Sequence, residues 1–165
     1  MFDKDKLEFG EVLDKDFLIQ LYDIMMKENT STSNTIFYNV DDKNFCHEDL
    51  INMMDGRAIT VVNYDGVVAA FIILEPIFGN TMGSVSYYGY KWVRGKYSIE
   101  IGKAYLEKAL KDYNTLVGIS PINNRISIKF NEKIGMKEVG TIKNACWLER
   151  EQKYVDGLLT SIGVK

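Results

Sequence analysis

Residues able to do chemistry gather in three places in this 165-residue chain. The first is the run Trp92-Val93-Arg94-Gly95-Lys96-Tyr97-Ser98-Ile99-Glu100-Ile101-Gly102-Lys103, where Arg94, Lys96 and Lys103 surround the expected start of a helix at about Ile99. The first N–H groups of a helix lack an intrahelical acceptor and carry partial positive charge, so an anionic cofactor would sit there. The same run offers an internal alternative. Ser98 can cap the helix and Glu100 can offset its dipole, while Glu100 repels the phosphate that the three cations attract. The second place is Glu75, which ends an apolar run just before Pro76. Burial there would raise its pKa toward that of a working general base; at a solvated strand end it would stay an ordinary carboxylate. The third is Ser120, a hydroxyl just past the strand Leu116 to Ile119.

The remaining reactive types are sparse. His47 is the only histidine and stands beside Glu48 and Asp49 at an expected helix start, a surface or capping position more than a base, and a metal site is not expected. Cys46 and Cys146 have no second ligand at zinc spacing and read as reduced, packed thiols of a cytoplasmic protein.

The elements that must position these groups follow from periodicity. Leu7 to Val12 reads as a first strand, and Phe17, Leu18, Leu21, Tyr22, Ile24 and Met25 fall at helical spacing up to Asn29. The polar stretch from Asn29 to Asn34 is a loop, a solvated connection or a substrate lid. A short helix spans His47 to Met54, stopped by Asp55-Gly56. Ala58 to Tyr64 and Val67 to Ile77 are strands joined by Asp65-Gly66, and the second, apolar on both faces, is central. Ser84 to Trp92 makes a third antiparallel strand, with Tyr88, Tyr90 and Trp92 on one face. Then come a helix from about Ile99 to Tyr113, the strand Leu116 to Ile119, a helix closing in Lys133-Ile134-Gly135-Met136, and strands at Lys137 to Ile142 and Lys153 to Ile162. Lys143 to Gln152 is the connection between those last two. The fold class is α+β, a mixed sheet flanked by helices, in a single domain spanning 1–165.

Composition narrows the function. A net charge of −3 gives no basic footprint for nucleic acid. No apolar run approaches a membrane span, and the charged start Met1-Phe2-Asp3-Lys4-Asp5-Lys6 has no signal-peptide core.

Two segments carry a resemblance. Ile101-Gly102-Lys103-Ala104-Tyr105-Leu106 and Asn124-Arg125-Ile126-Ser127-Ile128-Lys129-Phe130-Asn131-Glu132-Lys133-Ile134-Gly135-Met136 are similar to the helix start after the fourth strand and the segment after the fifth strand of the Gcn5-related N-acetyltransferase superfamily. The order of elements agrees along most of the chain. The resemblance implies a sheet splayed between its fourth and fifth strands. It also implies acetyl-CoA as cosubstrate, held by the segment from Trp92 to Lys103 and by Asn124, and a small-molecule or protein amine as acceptor. The amine would be chosen by the stretch from Lys27 to Asp55, with a backbone oxyanion donor near Val93. Sheet edges in the family often support a homodimer. The pyrophosphate motif departs from the family's pattern: with Gly102 as its last glycine, Tyr97 stands at the arginine position and Glu100 at the first glycine. The family's proton-donating tyrosine is replaced by Asn131, which can donate a hydrogen bond but no proton. Ser120 or a tyrosine of the fourth strand would have to substitute. These departures support the alternative of a catalytically idle protein with this fold that binds a partner, as in some bacteriophage-encoded relatives.

Overall fold

Asp65 and Gly66 both take positive φ, 55° and 76°, the mirror-image turn whose twist suits a hairpin. They join β2 (Ala58–Tyr64) to β3 (Val67–Phe78), and a second tight turn carries β3 into β4 (Met82–Gly89). In the computed structural model, which describes residues 1–29, 31, 35–40 and 43–163, these strands continue β1 (Leu7–Glu11) as one antiparallel meander. Further along come α3 (Ser98–Ala109), β5 (Thr115–Pro121), α4 (Arg125–Lys133), β6 (Lys137–Leu148) and β7 (Lys153–Gly163). The sheet has seven strands in the order β1-β2-β3-β4-β5-β7-β6.

Alternation along β3 builds two cores. Phe71 and Ile73 face α1 (Lys15–Asn29) and α2 (His47–Met54), while Ala70, Ile72 and Leu74 face α3 and α4. Leu18, Leu21, Tyr22 and Met25 form the helical stripe of α1 that closes the first core. Ile101, Leu106 and Leu116 anchor the second.

The decisive feature for function is where pairing stops. β4 and β5 are parallel, and only Met82, Gly83 and Ser84 find partners, opposite Thr115, Leu116 and Val117. Beyond Ser84 the strands diverge, and the β4 backbone groups that would face β5 have no strand to bond.

Several expectations change. The β4 strand ends at Gly89, and Trp92 lies instead in a 3-10 turn over Lys91–Val93. Its indole N–H donates to the Val68 carbonyl at 2.8 Å, so it leaves the face where Tyr88 and Tyr90 pack edge to face. β6 does not end at Ile142: a register shift between Ile142 and Cys146, with Asn144 at φ 52°, bends the strand and lets it pair on to Leu148. Cys46 is exposed rather than packed, whereas Cys146 is buried. Thr30, Thr32, Ser33 and Asn34 of the expected lid lie outside the described residues. Asn29 itself is the last residue of α1, donating to Met25 O and to the Tyr88 hydroxyl. No helix among the described residues is long and apolar enough to cross a membrane.

Candidate functional site

The divergence of β4 and β5 opens a passage through the sheet, and a cavity sits at each of its ends. One, of about 130 Å³, lies on the α3–α4 side, lined by Val85, Tyr87, Gly118, Ser120, Asn124 and Asn131 among others. The other, of about 220 Å³, lies toward α2, lined by Met53, Met54, Arg57, Ile73, Glu75 and Ser84 among others. Ile36, Tyr38 and Ser86 line both, so the cavities meet at Ser86 on the diverging part of β4.

The chain's own groups fix the walls. Ser120 is 3% exposed and shares a hydrogen bond of 2.8 Å with the Ser127 hydroxyl. The Asn131 amide donates to Ser120 Oγ at 3.3 Å and to Thr160 Oγ1 at 3.2 Å, and Thr160 donates to the Gly118 carbonyl. Both amide hydrogens of Asn131 are thus committed to tying α4 to β5 and β7. The hydrogen bond to a sulfur that the sequence left open to it is already spent. Asn124 caps α4, accepting from Ser127 N–H at 3.1 Å.

Above the cavity, the loop between β4 and α3 departs from the expected self-capped start. The N-cap of α3 is Tyr97, no side chain caps the helix, and the N–H groups of Ser98, Ile99 and Glu100 find no acceptor among the described residues. Tyr97 instead packs on Tyr64, ring centroids 4.8 Å apart, and Lys96 lies over its ring. Arg94 turns back, its Nε donating to the Gly89 carbonyl at 2.8 Å with the guanidinium over Tyr88. Val93 and Ile101 are fully buried, and their N–H groups donate to Tyr90 O and Tyr97 O. Val93 therefore has no N–H left for an oxyanion, because the 3-10 turn consumes it. Exposed Lys96, Glu100 and Lys103 surround the uncapped helix end.

The fold as a whole has counterparts among solved structures. The chain has the fold of the Gcn5-related N-acetyltransferases. Spermidine N-acetyltransferase of Vibrio cholerae, solved with CoA and spermine, is 12% identical and superimposes over 96% of both chains with a TM-score of 0.74. A microcin self-immunity acetyltransferase, solved with acetyl-CoA and AMP, is 16% identical over 95% of this chain and 93% of that one, TM-score 0.68. Ribosomal-protein-alanine N-acetyltransferase of Brucella melitensis is 18% identical over 95% and 99%, TM-score 0.70. No family model matches the chain, and no curated protein matches it in sequence.

Within this acetyltransferase fold Gly102 has a packing role. A Cβ there would lie 2.8 Å from Ile134 Cγ2 and 2.9 Å from Phe130 Cζ. Phe130 in turn stacks on Tyr87 across the divergence, centroids 4.7 Å apart, as one wall of the cavity. Gly102→Ala is expected to lower stability by about 1–3 kcal/mol through overpacking, or roughly 2–4 °C in Tm per kcal/mol, read by a thermal melt. An unchanged Tm would show that α3 and α4 do not meet this closely.

The predicted site residues divide. Ser120, Asn124 and Asn131 come together in the first cavity. Glu75 stands apart in the second, exposed and paired with Arg57 at 3.4 Å, not buried as a base would need. Sequence reading missed Tyr38, Ser86 and Arg57. Tyr38 carried no signal, since it lies between elements. Its carbonyl accepts from Glu149 N–H at 3.2 Å and its hydroxyl donates to Cys146 Sγ at 3.7 Å, so β6 and the turn after it hold it in place. Burial first, and the bond to Cys146 second, push its phenol pKa up.

Proposed function

We propose that this protein transfers an acetyl group from acetyl-CoA to a primary amine. The observation that carries the reading is the meeting of two cavities from opposite faces of the sheet at Ser86 and Tyr38. The pyrophosphate would lie on the free N–H groups of Ser98, Ile99 and Glu100, with Lys96 and Lys103 balancing Glu100. The pantetheine arm would run down the unpaired edge of β4 in place of β5, bonding backbone groups as a strand does. The amine would come from the α2 side, in keeping with solved structures of this fold whose names specify amine acceptors.

Tyr38 supplies the proton that Asn131 cannot. Three tyrosines line the first cavity, and their hydroxyls are all engaged, Tyr87 with Ser98 O, Tyr105 with Thr60 and Tyr38 with Cys146 Sγ at 3.7 Å. Tyr38 is chosen because it alone of the three also lines the second cavity, and its proton must turn from Cys146 to the leaving sulfur. The neutral amine attacks the thioester carbonyl, the C–S bond breaks, and the sulfur takes the Tyr38 proton. The proton shed by the nitrogen then returns to Tyr38 from the other side. Nitrogen loses one proton and sulfur gains one.

Calorimetric titration with acetyl-CoA tests the cofactor half. Saturable binding is expected, weakened about ten-fold in Lys103→Glu by loss of a charge-assisted contact of about 1.5 kcal/mol. An absence of binding at millimolar cofactor would overturn the reading.

A further inference from the structure

The second cavity carries two charges that acetyl transfer itself does not require. Arg57, just before β2, and Glu75, within β3, bring Nε and Oε2 to 3.4 Å, with side chains 29% and 52% exposed, so both remain reachable. A monocation approaching this pair meets attraction from Glu75 and repulsion from Arg57, which nearly cancel at such a spacing. A molecule presenting ammonium and carboxylate side by side completes an alternating set of four charges. The pair is thus complementary to a zwitterion.

Register then places the pair relative to the passage. Glu75 pairs with Ser84, and Ile73 with Ser86, so all four side chains share the face of the second cavity. Ser86, where the cavities meet, lies two residues along β4 from Ser84, about 7 Å. An amine reacting at Ser86 is therefore separate from a head group held at Arg57 and Glu75. An extended aliphatic chain advances about 1.25 Å per bond, so four or five bonds cover roughly 5–6 Å of that gap. Met53, Met54 and Ile73 give the chain an apolar wall.

Resting on the transferase reading above, we infer that the acceptor is a free basic amino acid of the lysine or ornithine type. Its α-ammonium and α-carboxylate are held by Glu75 and Arg57, and its terminal amine receives the acetyl group. Glu75 is then a substrate anchor and not the general base.

The test compares lysine and ornithine with 1,5-diaminopentane, which has the reacting amine but no zwitterionic head, and with leucine, which has the head alone. Turnover with acetyl-CoA is followed by thiol release, and binding without cofactor by saturation-transfer NMR on the whole chain. Lysine or ornithine is expected to be acetylated at the terminal amine with a KM at least ten-fold below that of the diamine. Arg57→Gln is expected to remove that advantage by raising KM for the amino acid alone, with kcat little changed. Leucine is expected to bind without reacting. Equal KM values for amino acid and diamine, an Arg57→Gln effect equal on both, or no NMR-detected binding of lysine and ornithine would each overturn the proposal. Head-dependent binding with no turnover would uphold the anchor and sink the transferase reading; turnover of the diamine alone would do the reverse.

Discussion

Tyr38→Phe is expected to lower kcat by about 10²-fold while leaving acetyl-CoA affinity and Tm near their original values. The ring remains in the wall between the cavities, so packing is conserved and only the proton is lost. Fluorescence or calorimetric titration with the cofactor, a thermal melt and a steady-state assay separate these effects. A variant that keeps its rate would mean that the leaving sulfur takes its proton from water, and that Tyr38 only shapes the passage. Cys146→Ala is the companion control. It removes the sulfur to which the phenol donates at 3.7 Å, without touching the phenol. A comparable loss in this variant would indicate that Tyr38 acts through its anchoring and not through its proton.

Alkaline pH should unfold the protein cooperatively. Tyr88, Tyr90 and Tyr105 are 4%, 2% and 4% exposed, and burial pushes all three phenols up, Tyr88 to about 12. The fold holds them neutral, whereas the unfolded chain ionises them near 10. Their contribution to stability is therefore complete below pH 10 and is lost as pH rises from 10 toward the raised values. A phenol costs about 1.4 kcal/mol per pH unit in that window, so Tyr88 and Tyr90 together remove about 3 kcal/mol per unit, and Tyr105 adds to this in the same direction. Against a typical total of about 5–15 kcal/mol, loss of structure is expected at roughly pH 11–12. Tyrosinate absorbance and far-ultraviolet circular dichroism should change together there. Exposed tyrosines ionise near pH 10 in either case, so it is ionisation of all ten tyrosines below about pH 11 with the circular dichroism intact that would show these rings to be wet.

Most of the frame was legible because local rules and tertiary packing agree. Asp65-Gly66 selects one hairpin turn, the stripe on α1 has one helical reading, and the doubly apolar β3 can only be central. The boundaries that moved did so for tertiary reasons. β4 stops at Gly89 because Trp92 finds a better acceptor in Val68 O on a neighbouring strand. β6 runs through to Leu148 because a bulge around Asn144 keeps it in register with β7. The loop before α3 was misread for a related reason. Ser98 looked like a cap, but aromatic packing of Tyr97 on Tyr64 shifts the cap position by one residue and leaves three N–H groups open.

By itself the sequence determined the class of fold, the order of its elements and the two segments through which it resembles an acetyltransferase. Those properties rest on periodicity and turn chemistry, which act between near neighbours along the chain. It also brought forward Ser120 and Asn131, because both lie within the second of those segments or just before it. Only the tertiary structure decided what the site is made of. Tyr38 from a loop, Ser86 from the diverging part of β4 and Arg57 from just before β2 join Glu75 of β3, and the two cavities they line adjoin where β4 and β5 part after Ser84. A break in strand pairing is a relation between residues some thirty positions apart, so no local pattern in either strand records it, and the sequence pointed to it only through the family resemblance.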